Sequence, residues 1–238
     1  MFESVSAGYA TAPMIDRAAK RIVDIVIALS LLVLLSPVFV IVGFLILCSS
    51  PGPLFYRQKR VGRDGQIFEV YKFRTTYWDA DKRGPSVTSS DDCRITRIGR
   101  SLRKYKLDEL PQFLNVLRGD MSLVGPRPQV PQYVKHFDPR MRDVVLGVRP
   151  GITGPTALVF RREEDILANR EDREAFYIDR VIPVKLGMDV QYVQTRSFWE
   201  DLKILSETAL LLTPARSISA YSKADPRTLF DDTVEAIR

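Results

Sequence analysis

Two adjacent carboxylates, Asp108 and Glu109, head the stretch LDELPQFLNVLRGDMSLVGPRP at residues 107–128. A helix start downstream would set Asp108 beside unpaired backbone N–H groups and the positive end of the helix dipole. That setting holds a carboxylate ionised and favours a nearby phosphate. Capping of an ordinary first turn is the competing reading of the pair. Three further features point to anion chemistry. Arg127 stands between Pro126 and Pro128, and the following proline restrains it to extended backbone. Arg149 precedes Pro150-Gly151, a type II turn signal. Two restrained arginines suit forked recognition of a diphosphate. Lys72 and Arg74 share one face of a predicted strand over 66–74, with Tyr71 and Phe73 on the other.

The carboxylates need a scaffold, and the same stretch supplies one. Leu107, Leu110, Leu114 and Leu117 recur at gaps of three and four, which predicts a buried helical face. Asp108, Gln112 and Asn115 fall on a different, polar face. Pro111 fits the helix start, and Arg118 with Gly119 reads as the stop. Arg94, Arg97, Arg100 and Arg103 recur every third residue against Ile95, Ile98 and Leu102, a basic amphipathic helix suited to anionic headgroups. Residues 51–63 read as a turn-rich basic connection, 79–93 as a polar loop and 160–174 as a solvated helix. Phe198, Trp199, Leu202, Leu205 and Ala209 keep helical spacing, suited to the core or to a membrane interface. Asp189, Tyr192 and Asp201 are nearby polar candidates.

From Ile25 to Leu47 no residue is charged. A bilayer crossing needs ~20 such residues. Ser36-Pro37 interrupts the run: proline removes a helical hydrogen bond and crowds the Val33 carbonyl, and Ser36 can re-satisfy freed backbone groups. Arg17, Lys20 and Arg21 precede it, and Arg57, Lys59, Arg60 and Arg63 follow. A crossing helix carries its excess Lys/Arg on one side. Basic residues at both ends favour a kinked hairpin that enters and leaves through one face, against a proline-kinked crossing. Asp24 can lie at headgroup depth.

The chain has 238 residues, 35 Lys+Arg against 29 Asp+Glu, a net charge of +6 and a sequence pI near 9.4. That balance suits nucleic acid, an anionic membrane or a phosphorylated substrate. Cys48 and Cys93 offer no zinc spacing, and the sole histidine, His136, lies near no triad partner and reads as a surface or packing residue.

With these pieces in order, the chain resembles the monotopic phosphoglycosyl transferases, the bacterial sugar transferase family, from about Lys20 to Leu212. The resemblance rests on the Ser36-Pro37 run, YKFRTT at 71–76, ITRIGRSLRKYKLDELPQFLNVLRGDMSLVGPRP at 95–128, RPGITG at 149–154 and SFWEDLKIL at 197–205. It implies a mostly helical α/β monotopic membrane protein: a flexible N-terminus (1–19), a re-entrant membrane helix (20–50) broken at Ser36-Pro37, a catalytic domain with interfacial helices (51–214) and a tail (215–238). It implies transfer of a sugar-1-phosphate from a UDP-sugar to undecaprenyl phosphate with release of UMP. This would be the first membrane step of a surface glycan pathway, such as exopolysaccharide or lipopolysaccharide synthesis, on the cytoplasmic face of the bacterial inner membrane. Asp108 would be the nucleophile, Glu109 its assistant, the two would place Mg2+, and Lys72, Arg74, Arg127 and Arg149 would bind substrate phosphates. Membrane lipids are implied partners and nucleic acid is not; a homodimer stays open. Two departures are visible. Thr76 replaces a frequent Met, read as a packing change, and Thr153-Gly154-Pro155-Thr156-Ala157 replaces Thr-Gly-Leu-x-Gln, read as a loop that touches the sugar. The alternatives are a non-enzymatic, membrane-anchored basic binding module and a membrane phosphatase or acyltransferase with an aspartyl intermediate.

Overall fold

The computed structural model describes residues 14–78, 92–161, 163–167 and 172–212. The N-terminal segment before residue 14, nearly all of the predicted 79–93 loop and the 215–238 tail lie outside these residues. The chain runs α1 (Met14–Leu34), α2 (Ser36–Ser49), β1 (Phe55–Val61), β2 (Ile67–Phe73), α3 (Arg97–Lys104), a 3-10 turn (Leu107–Glu109), α4 (Gln112–Arg118) and β3 (Ser122–Val124). It continues through α5 (Pro131–Val134), α6 (Pro139–Leu146), β4 (Gly151–Thr153), α7 (Pro155–Val159), α8 (Glu163–Leu167), α9 (Arg173–Phe176), a π turn (Tyr177–Val181), α10 (Ile182–Thr195) and α11 (Phe198–Leu212). The expected mostly helical α/β class holds.

The apolar run breaks where its proline predicts. α1 and α2 are bent by 60°. Pro37 has no N–H for the Val33 carbonyl, and Ser36 Oγ donates to that carbonyl at 2.8 Å. Among the described residues no single helix is long and apolar enough to cross a membrane, although the bent pair passes that measure together. Both limbs dock on the same body. On α1, the Arg21 guanidinium donates to the Val116 and Leu117 carbonyls at 2.7 and 3.2 Å, and Lys20 reaches Asp201 at 2.5 Å. On α2, Val42 and Ile46 pack with Phe73 and Leu102. Val33, Leu34, Val40 and Phe44, around the bend, are exposed. Asp24 stands at the entry of the apolar run. It is buried, accepting from Ser122 Oγ at 2.7 Å and Leu123 N–H at 3.1 Å, so it fastens α1 to β3.

β1 and β2 pair antiparallel, with Tyr56 opposite Lys72 and Arg60 opposite Phe68. A strand over 55–61 departs from the predicted turn-rich connection. Its inward positions include Tyr56, Gln58 and Arg60, so the alternation that marks a strand is masked by polar side chains on the half-buried face. α3 begins at Thr96, whose Oγ1 accepts from Gly99 N–H at 2.9 Å. α4 stops at Gly119, where φ is +94°.

The polarity of α4 is the reverse of the prediction. Gln112 and Asn115 are buried, as is Asp108 in the turn before it, while Leu107, Leu110, Leu114 and Leu117 are only half-buried. The cause is backbone satisfaction. Asn115 Oδ1 accepts from Tyr71 N–H at 3.0 Å and its Nδ2 donates to Glu69 O at 2.7 Å, so one amide serves the open edge of β2. Leu107 and Leu110 lie against the α2 cluster and Leu117 against the core around Val116, Met121 and Leu123.

β3 and β4 form a short parallel pair, Ser122 opposite Gly151 and Val124 opposite Thr153. A Cβ on Gly151 would collide with the Gly125 amide, so glycine is required for this approach. The Pro-Gly at 150–151 therefore leads into a strand. Among the described residues of the predicted solvated helix at 160–174, Glu163–Leu167 form α8 and Arg173 opens α9, and Leu167 is buried with Tyr133, Tyr177 and Val181.

Candidate active site

Asp108 and Glu109 lie in the 3-10 turn between α3 and α4. The turn is entered through Lys106, whose backbone is left-handed at φ 57°, ψ 21°. Asp108 is 8% exposed, and its Oδ1 is buried with no hydrogen-bond partner. Glu109 is fully engaged: Lys72 Nζ approaches Oε1 at 2.9 Å, and Arg127 reaches Oε1 at 2.5 Å and Oε2 at 3.3 Å. Elements far apart in sequence thus converge on one carboxylate, Lys72 from β2 and Arg127 from the loop after β3.

The two acids titrate in opposite directions. Burial raises the Asp108 carboxyl above its ordinary value, and the Glu109 charge adds to this against Lys72, Lys106 and Arg103. Burial works on Glu109 in the same sense, but Arg127 and Lys72 overcome it and hold Glu109 well below the usual carboxylate range. The expectation that a helix terminus keeps Asp108 acidic is therefore overturned: Asp108 belongs to the turn, and desolvation dominates. Neighbouring carboxylates driven apart in this way take different roles. Glu109 is a fixed anion that orders two cations. Asp108 is the more basic carboxylate, and its buried Oδ1 has no hydrogen-bond partner.

Arg74 and Arg149 are not brought to this turn. Arg74 is 4% exposed and donates to the Ser50 and Pro51 carbonyls at 2.6 Å each, tying the end of α2 to β2. Arg149 Nε donates to Gly119 O at 2.8 Å, at the end of α4. Both close orphaned carbonyls where helices end. Sequence reasoning also missed Arg60. Its NH1 donates to Pro128 O at 3.0 Å and its NH2 to Gln58 Oε1 at 2.6 Å, steadying the loop that carries Arg127. Burial, and then Arg127, lower its pKa to about 10. The signal was its place on the inward face of β1, readable only once that strand is recognised. His136 is exposed, as expected.

The other polar candidates make separate contacts. Asp201 accepts from Lys20 and, at 2.6 Å, from the Tyr192 hydroxyl, linking α1, α10 and α11. Asp189 is buried and accepts from Thr156 Oγ1 at 2.9 Å. Thr156 and Pro155 are themselves buried in α7, so the departure at 155–157 lies in packing against α10 and not in an exposed loop beside a sugar. Burial pushes Asp189 up to about 7, opposed by Thr156 and the Lys185 charge. Its folded pKa stands above its unfolded one, so the stability it contributes is present at low pH and is lost as pH rises through about 7. Asp189→Asn is expected to remove this slope, gaining on the order of 2 kcal/mol relative to wild type between pH 5 and pH 8 in urea unfolding. Parallel stability–pH curves for the two proteins would contradict it.

A family profile described as "Bacterial sugar transferase" matches residues 15–214. The chain belongs to the bacterial sugar transferase family. Among its relatives is a UDP-N-acetylgalactosamine-undecaprenyl-phosphate N-acetylgalactosaminephosphotransferase of Aeromonas hydrophila, 36% identical over 191 residues, covering 79% of this chain and 42% of that protein. Two more are named UDP-glucose:undecaprenyl-phosphate glucose-1-phosphate transferase. The one from Escherichia coli K12 is 37% identical over 194 residues, 80% of this chain and 39% of its own length. The one from Caulobacter vibrioides is 38% identical over 193 residues, 79% of this chain and 67% of its own length. The chain thus spans about two-fifths of the first two relatives.

Proposed function

We propose that this sugar transferase moves a sugar-1-phosphate from a UDP-sugar to undecaprenyl phosphate, as a step in the synthesis of a bacterial surface glycan. The observation that carries this reading is the buried, unpartnered Asp108 Oδ1 beside a Glu109 whose oxygens accept from Lys72 and Arg127. Asp108 attacks the phosphorus that bears the sugar. A carboxylate–phosphorus bond forms, the bond to the bridging oxygen breaks, and its electron pair leaves with UMP. The acyl phosphate retains transfer potential for the acceptor. Lys72 and Arg127, ordered on Glu109, are restrained donors for the charge that develops on the phosphoryl oxygens.

The donor set suits Mg2+ in one mode only. Among the described residues no group of three His, Cys, Asp or Glu side chains could hold a metal. Both Glu109 oxygens already accept from cations, whereas Asp108 Oδ1 is unsatisfied. Mg2+ is commonly held by one or two carboxylates together with substrate phosphates and water, so Asp108 would be its protein ligand. When bound, the ion supplies charge neutralisation for the diphosphate.

The test is UMP release from a panel of UDP-sugars with undecaprenyl phosphate in detergent or vesicles. Release with one or more sugars is expected. Release of UDP, or of no nucleotide from any donor, would overturn the reading. The relatives are named for two different sugars, glucose and N-acetylgalactosamine, so the panel must hold both.

The hydrophobic pair α1–α2 is read as re-entrant at the cytoplasmic face of the inner membrane. Both limbs return to the same body, Pro37 and Ser36 account for the bend, and basic residues flank both ends. Cys48 and Cys93 are free and exposed, and are first replaced by serine. Cysteines introduced at Ala10 and at Asp64 are then expected to resist a membrane-impermeant thiol reagent applied to intact cells and to react after lysis. Labelling of either site from outside would show a crossing helix.

A further inference from the structure

A largely buried ion pair lies beside the loop that carries Arg127. Lys185, on α10, is 5% exposed, and its ammonium donates to Glu163 Oε1 at 2.6 Å. The same ammonium lies over the rings of Phe160 and Tyr177, 5.3 Å from each centroid. Burial works against its charge, but Glu163 and Tyr177 overcome this and raise the pKa, so Lys185 is a cation at neutral pH. Apolar side chains of similar volume would fill such a site with no charge to desolvate, and a buried pair adds little to stability over them. The pair therefore calls for a second role, and its surroundings supply one. Tyr177 begins the π turn, an irregularity common at functional sites, and Tyr133 packs edge-on against its ring at 4.8 Å. The Tyr177 hydroxyl accepts from Lys185 and donates to Gln129 Oε1 at 3.2 Å. Gln129 stands two residues after Arg127, with Pro128 between them. Its backbone oxygen accepts from Val61 N–H at 2.9 Å, and Arg60 donates to Pro128 O at 3.0 Å. So β1 holds the main chain of this loop while Tyr177 holds its side chain. Pro126 and Pro128 remove torsional freedom on either side of Arg127, so a shift at Gln129 is passed on to the arginine instead of being absorbed.

We infer that Tyr177, set by the Lys185–Glu163 pair, is a positioning residue for Arg127: through Gln129 it fixes the angle at which the guanidinium fork meets the donor diphosphate. This rests on the proposed transferase reading. Glu109 holds the tip of Arg127, but an attachment at the tip leaves the stem of a long side chain free to swing about it. The loop sets the other end. A fork must present two N–H groups to one phosphate at once, so a small displacement of its base weakens both bonds together.

The test is a double-mutant cycle on the full chain in vesicles with undecaprenyl phosphate and Mg2+. It is read as kcat/KM for UMP release from UDP-glucose or UDP-N-acetylgalactosamine, whichever supports turnover. Tyr177→Phe keeps the ring against Lys185 and Tyr133 and removes only the hydroxyl. Gln129→Leu breaks the same hydrogen bond from its half-buried end. Each is expected to lower kcat/KM about tenfold, and the two together no further than either alone. Arg127→Lys keeps a charge but loses the fork, and in that background Tyr177→Phe is expected to change kcat/KM by less than about twofold. A tenfold loss that recurs there would mean that the hydroxyl serves the fold at large, and would overturn the assignment. So would full activity of Gln129→Leu, with or without a loss in Tyr177→Phe. Should Tyr177→Phe fail to fold, Gln129→Leu carries the cycle alone. If Arg127→Lys releases no UMP, the same cycle is read on the dissociation constant of the nucleotide sugar. If wild type releases no UMP from any donor, the transferase reading itself fails, an outcome distinct from additive losses at Tyr177 and Arg127.

Discussion

Asp108→Asn is expected to lower sugar-phosphate transfer to background, a loss of at least about a thousandfold, while the protein stays folded. Asparagine has the shape of the aspartate but lacks the anionic oxygen that must attack phosphorus. Asp108 Oδ1 has no hydrogen-bond partner, so the substitution forfeits no contact there. Burial raises the Asp108 pKa, so its ionisation opposes folding as pH rises through the folded value. Asp108→Asn should therefore be as stable as wild type, or more so, at pH 8. This pairing of lost activity with retained or gained stability marks a residue kept for chemistry at a cost to the fold. Mass spectrometry of wild type with UDP-sugar and Mg2+ should find one sugar-phosphate on the peptide carrying Asp108. An adduct that persists in Asp108→Asn, or one that maps elsewhere, would falsify the nucleophile assignment. The same pKa direction predicts that wild-type turnover falls as pH is lowered through the raised Asp108 value, since only the ionised form attacks. Glu109→Gln should also impair turnover, because it releases Lys72 and Arg127 from the anion that orders them.

Asn115→Ala is expected to destabilise the protein by on the order of 3 kcal/mol, read as a lower urea midpoint at unchanged slope. Asn115 has no exposed surface, and its amide serves Tyr71 N–H and Glu69 O, with Asp120 Oδ2 at 3.3 Å from Nδ2. Alanine leaves a buried backbone donor and acceptor of β2 unpaired and opens a cavity beside Val116. Lys72 directly follows Tyr71, so this contact also sets the strand position that presents Lys72 to Glu109. Turnover should fall with stability, unlike the effect of Asp108→Asn. A midpoint within experimental error of wild type would show that water or a rearranged strand replaces the amide.

Much of this architecture follows from local rules that act over a few residues. The bend at Ser36-Pro37 needs only a missing N–H and a hydroxyl one residue earlier. The α4 stop needs only Gly119, and the α3 start only Thr96. The carboxylate pair and the restrained Arg127 were legible for the same reason: residue type and immediate neighbours define them. The motifs also carried the family, which the match over residues 15–214 bears out.

Long-range pairing decided the rest. Polar residues spaced like a solvated face, Gln112 and Asn115, became core because β2 presents an unpaired edge that only an amide can satisfy. The strand at 55–61 was hidden because its inward face is polar and is matched by partners distant in sequence. Arg74 and Arg149 resemble Arg127 in sequence, yet tertiary structure sends their guanidinium groups to helix-end carbonyls. The unlike titration of Asp108 and Glu109 could not be read from adjacent letters, since it depends on which carboxylate Lys72 and Arg127 reach and which stays desolvated without a partner. The sequence by itself determined which groups are available and where the chain must bend or stop. The tertiary structure alone decided which charge meets which, because Coulomb and desolvation energies depend on distances and burial that only the folded chain sets.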